Sequence, residues 1–156
     1  MPFEFLLIAL WCGVCYVIGN VGGWQRLATA FQATGEEPLA TTTQWCQSGC
    51  FGGAFGTRYS NMLFLGLSPA GLRLSVLLPF RAGHPPLFIP WEAFEIVEKK
   101  KVFFSAHYVT TVVLPNGEHD VRFRFRSSKL AQAITQHQQQ ATPLQPDFRY
   151  PLGRYY

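Results

Sequence analysis

The chain has 156 residues, 48% of them apolar and only 14% charged, with 13 Lys+Arg against 9 Asp+Glu and a formal net charge of +4. That length suggests one domain, or one domain with appendages, and the charged share is well below the roughly 25% of an ordinary soluble domain. A mildly basic balance permits contact with anionic lipid or acidic partners and gives no reason to expect nucleic acid.

From Phe5 to Gly19 the chain reads FLLIALWCGVCYVIG, with no charged residue. With its flanks this makes a window near the short end of what a spanning helix needs. Residues 1–22 are therefore expected to form a single transmembrane helix. A cleaved signal peptide fits less well, because MPFEF carries an acid and no Lys or Arg, and no Ala-x-Ala follows. A buried core helix fits less well because the run is charge-free and terminal. Gly13 and Gly19 with Cys12 and Cys15 supply the small residues that helix–helix packing in lipid favours. Arg26 and the basic region beyond it lead to the expectation, by the positive-inside bias, that the C-terminal side is cytoplasmic.

Residues 23–43 read as an amphipathic helix and a linker. Trp24, Leu27, Ala28 and Phe31 fall at i, i+3, i+4, i+7, one apolar face that either lies at the membrane surface or docks on the domain. Trp24, Leu27 and Phe31 are the expected membrane-interface residues. Thr34–Thr43, with Gly35 and Pro38, reads as linker.

From Gln44 short strands alternate with turn residues. Strands are expected at Trp45–Phe51, Met62–Leu67, Leu72–Leu78, Leu87–Ile89, Phe94–Lys100, Phe104–Leu114 and His119–Arg126. Ser68-Pro69-Ala70-Gly71 and Pro115-Asn116-Gly117 are hairpin signals. Ser127-Ser128 offers a cap for a final helix with Leu130, Ala133, Ile134 and His137 on one face. Residues 139–156, rich in Gln and Pro, are expected to be disordered. Strands without intervening helices exclude a βαβ fold. The expected fold is α+β: a transmembrane helix, then residues 44–138 as a small antiparallel barrel of about seven strands with a C-terminal capping helix, the arrangement of PH- and GRAM-like domains.

A family resemblance points the same way. The hydrophobic helix, GGWQRLATAF, and YSNMLFLGLSPAGLRLSVLLPFRAGHPPLFIPWEAF resemble a family of small bacterial proteins with one N-terminal membrane segment and a PH/GRAM-like domain. Gly83–Phe94 is the most specific stretch, and the resemblance fades beyond Phe94. It implies architecture alone, because the family has no assigned activity and supplies no catalytic residues.

No catalytic constellation is visible. GCFGGAFG, residues 49–56, is not a dinucleotide-binding pattern. His119 and Asp120 are strand neighbours and point to opposite faces. Cys46 and Cys50, separated by three residues, are expected as isolated thiols, and the histidines lack ligand spacing, so no metal or cofactor is expected. The basic residues are the strongest lead: Lys99, Lys100 and Lys101 near a hairpin, and the stripe Arg122, Arg124, Arg126 opposite Val121, Phe123 and Phe125. Glu95, Glu98, Glu118 and Asp120 lie close enough in sequence to neutralise part of it. Arg81 and His84, in a loop stiffened by Pro79, Pro85 and Pro86, either hold an anion or serve structure. The expected function is a membrane-anchored, non-enzymatic binding module engaging a protein partner or anionic headgroups. The alternatives are a structural subunit packing through its N-terminal helix, and a small enzyme or thiol redox protein.

Overall fold

The computed structural model describes residues 3–52, 56–115 and 120–141. The apolar N-terminal run forms α1, Phe3–Val21. Glu4 sits in its first turn, where the positive end of the helix dipole favours an acid. The helix ends at Gly22-Gly23, where Gly23 takes φ 84°, a conformation open to glycine without strain. Among the described residues it is the one helix long and apolar enough to cross a membrane. Within it only Cys15 and Gly19 are buried.

α2, Trp24–Phe31, follows directly. Then come β1 Thr42–Phe51, β2 Thr57–Leu67, β3 Gly71–Val76, β4 Leu87–Pro90, β5 Glu98–Val102, β6 Ser105–Val112, β7 Val121–Phe125 and α3 Ser128–Ala141. The strands form one seven-stranded sheet in the order β4-β3-β2-β1-β7-β6-β5, every pairing antiparallel. Ser68 closes the β2–β3 hairpin by exchanging backbone and side-chain hydrogen bonds with Gly71. Ser127 caps α3, its Oγ accepting from the Leu130 N–H at 3.1 Å. The inward residues of both halves of the sheet, from Leu72 and Ile89 to Val112 and Phe123, share one core with Leu130 and Ile134 of α3.

Five expectations need correction. The sheet is open, since its ends β4 and β5 are not paired. Each exposed edge is managed separately: Gln32 bridges Leu87 on the outer side of β4 and Ala33 donates to the Pro86 carbonyl, while β5 carries Lys99, Lys100 and Lys101. α2 belongs to the domain and not to a membrane surface. Trp24 and Leu27 have no exposed area, and Phe31 packs against the same core, so none of the three faces lipid as a free apolar stripe. The linker is shorter than expected, with Thr42 and Thr43 already in β1. The fifth strand begins at Glu98, because Trp91–Ala93 forms a 3-10 turn and Phe94 makes only an isolated bridge to Val112. Residues 139–141, expected in the tail, continue α3. The Asn116-Gly117 turn and residues 142–156 lie outside the described residues.

Register fixes which end of the sheet meets α1. Gly22 packs against Thr57 at the start of β2, and Val112 pairs with Val121 at that same end. The β5–β6 hairpin tip, Phe103-Phe104, stands at the opposite end. β6 alone runs eight residues, about 23 Å at about 3.3 Å per residue, between the two.

Candidate functional site

β7 keeps the expected alternation: Val121, Phe123 and Phe125 are buried, Arg122 and Arg124 exposed, and Arg126 beyond it exposed. What lies beside these arginines is set by register. Arg124 pairs with Cys50 of β1 on one side and Val109 of β6 on the other. Cys50 in turn pairs with Arg58 of β2. Tyr108 pairs with Phe125, so one step along both strands His107 lies beside Arg126, and Lys100 pairs with His107. Arg58, His107, Arg124 and Arg126 thereby line a groove of about 330 Å³ on the outer face, floored by Gly49 and Cys50. No carboxylate lines it. Among the described residues no ion pair engages any of these arginines.

Arg122 does not join that groove. It lines a neighbouring cavity of about 720 Å³ together with Glu95 and Glu98, whose charges oppose its own. The lysines separate as well. Successive residues of a strand point to opposite sides, and Lys100 is held by Glu98 at 3.2 Å while Lys99 borders a hollow beside α3. The expected stripe and lysine run are therefore not one basic surface. Arg58 and His107 were missed in the sequence. Alternation in TRYSNML marks Arg58 as facing away from buried Tyr59, but only pairing brings it beside Arg124.

Arg81 is exposed, directly after the turn Leu78–Phe80. His84 is 2% exposed and unavailable to an anion in solution, which corrects its placement beside Arg81 as a binding residue. Its Nδ1 lies 3.1 Å from the Ala82 carbonyl and its Nε2 2.8 Å from the Tyr59 hydroxyl. A carbonyl only accepts, so Nδ1–H donates to Ala82 and the Tyr59 O–H donates to Nε2, a neutral imidazole with both nitrogens satisfied. Trp24 stands edge-on to this ring at 5.4 Å and donates its indole N–H to the Pro85 carbonyl at 3.0 Å. Gly19 of α1 lies against the His84 ring on the other side.

Burial, the largest influence, pushes His84 below its ordinary value against the pull of the Ala82 carbonyl, and it raises Tyr59. The linkage sign follows. Between the depressed folded value and the ordinary one, the unfolded chain binds a proton that the folded chain refuses, so stability falls as pH drops through the histidine range. Denaturation of the full chain in detergent at pH 7.5 and pH 5 should show this loss. His84→Gln should flatten the part of the slope due to this residue, and an unchanged slope would remove His84 as its source.

All four cysteines are free, and two of the four Cys and Gly residues of α1 are already used: Cys15 is buried and Gly19 meets Gly83 and His84 of the same chain, while Cys12 is exposed and Gly13 has no neighbour within 4 Å of a Cβ position. No family model and no curated protein matches this chain.

Proposed function

We propose that this chain is a membrane-anchored, non-enzymatic binding module of PH/GRAM-like architecture, with α1 in the bilayer and its domain on the cytoplasmic side, presenting its outer sheet face to an acidic protein partner. The observation that carries this reading is the groove where Arg58, His107, Arg124 and Arg126 converge without a lining carboxylate. The strand order, two antiparallel meanders meeting at β1 and β7 and followed by a helix, supports the PH/GRAM-like assignment. The β5–β6 tip favours a protein over the headgroups of the bilayer holding α1. Phe103 and Phe104 are 97% and 107% exposed there, at the end of the sheet remote from α1. A structural subunit packing through α1 would have to use the Cys12/Gly13 side, because Cys15 and Gly19 are covered from within.

The test uses the full chain in nanodiscs of neutral lipid, titrated with a fluorescent acidic peptide rich in Glu and Leu at low and moderate salt. Saturable, salt-sensitive binding is expected, weakened about tenfold by Arg58→Ala/Arg124→Ala/Arg126→Ala, since exposed ion pairs contribute about 0.2–1 kcal/mol each and 1.4 kcal/mol is a factor of ten. Equal binding of a Gln-for-Glu peptide, or no effect of the triple substitution, would overturn the groove as the contact. If nanodiscs containing anionic lipid abolish peptide binding, the groove takes headgroups instead.

A further inference from the structure

α1 is not a stalk that ends before the domain begins. The turn between β3 and β4 runs back along it: the Trp11 indole N–H donates to the Pro79 carbonyl at 2.6 Å, and the Trp11 and Phe80 rings lie 5.3 Å apart. Gly83 lies against the Tyr16 backbone one and a half turns further on. Trp11 is ten residues before the end of α1, about 15 Å at 1.5 Å per residue. The whole helix measures about 28 Å on the same rise, against a hydrocarbon core of about 30 Å. If α1 crosses that core, Leu77–Phe80 lies well inside it.

The loop is suited to that depth. Leu78 is 76% exposed and Leu77 38%, so this loop, held against α1 by Pro79 and Phe80, adds apolar side chains to those that α1 leaves uncovered. Irregular backbone is tolerated in lipid only where its polar groups are satisfied. Here Leu77 N–H donates to the Met62 carbonyl, Phe80 N–H to Leu77, and Arg81 N–H to Leu78. Pro79 has no N–H, and its carbonyl is taken by Trp11. Arg81, exposed at the loop's end, has a long stem that lets its charge reach the headgroups.

We propose that Leu77–Phe80 is a second membrane-inserted element, immersed among acyl chains beside α1, so that the domain is wedged into one leaflet and not tethered above it. The inference rests on α1 lying in the bilayer, and the experiment separates the two. In a background with Cys12, Cys46 and Cys50 changed to Ala, and buried Cys15 left in place, an environment-sensitive fluorophore is attached at Leu6→Cys, Leu78→Cys or Lys100→Cys. Each full-length variant is reconstituted in phosphatidylcholine vesicles with or without lipid carrying a nitroxide on the acyl chain. Quenching at positions 6 and 78 to within about twofold, with none at 100, is the expected result. Quenching at 6 without quenching at 78 overturns the inserted loop and leaves α1 embedded. Quenching at neither position overturns both. Should the labelled background misfold, a benzophenone amino acid at position 78 of the otherwise native chain must cross-link phospholipid, and failure to do so while the same group at position 6 succeeds is equally decisive.

Discussion

Trp24→Ala should lower the stability of the full chain by about 3–5 kcal/mol, the range for truncating a large aromatic in a packed core. Trp24 has no exposed area and touches the rings of Phe51, Tyr59 and His84 at 5.4–5.5 Å. It also holds the Pro85 carbonyl, which closes the loop carrying His84. Trp24→Phe keeps most of the packing and loses that hydrogen bond, so about 1 kcal/mol plus a smaller cavity cost is expected. Equilibrium denaturation in detergent measures both. A loss below about 1 kcal/mol for the alanine variant would mean that α2 does not complete the core. For the same reason, cutting the chain after residue 31 should abolish cooperative unfolding, since it removes Trp24, Leu27 and Ala28 together.

Gly19→Val should separate α1 from the domain. A Cβ at position 19 would lie 2.5 Å from the Gly83 carbonyl oxygen and 3.3 Å from the His84 ring. The first obstacle is backbone, so relief requires the helix and the loop to part. Cys15, 3% exposed one turn earlier, is a native reporter of that parting. In a chain with Cys12, Cys46 and Cys50 changed to Ala, the rate of reaction of Cys15 with a small maleimide in detergent should rise roughly tenfold or more, equivalent to about 1.4 kcal/mol of lost docking free energy. Gly13→Val is the control, because nothing lies within 4 Å of a Cβ there. Equal reactivity of Cys15 in wild type and Gly19→Val would show that α1 does not rest on the Gly83–His84 loop, and the depth assigned to Leu77–Phe80 would lose its geometric basis.

The two variants probe linked parts of one device. Trp24 fixes the loop from the core side, and Gly19 admits α1 from the other. The buried, neutral His84 lies between them and ties their stability to pH. The outer basic groove is independent of this contact. Its arginines are exposed side chains on, or directly after, strands whose spacing follows from hydrogen-bonded register, so the arginine substitutions should leave thermal stability nearly unchanged.

Local chemistry was enough for some elements. A charge-free run long enough to cross a bilayer specifies α1, period-two alternation specifies β7 and its exposed arginines, and Ser68 and Ser127 announce a hairpin and a helix cap. Each of these depends on neighbours within a few residues, where steric and hydrogen-bonding preferences act alone. The amphipathic face of Trp24–Phe31 was also legible, but not what covers it, because periodicity defines a face and lipid and protein core are equally apolar. The groove needed more. Arg58, His107 and Arg124 come from three strands and Arg126 directly follows the last of them, and a one-residue slip in any pairing would send a side chain to the core. The open sheet, the neutral pairing of His84 with Tyr59 and the descent of Leu77–Phe80 along α1 were decided only by tertiary packing, since contacts between residues tens of positions apart are set by the whole core and leave no mark on the local pattern of either partner.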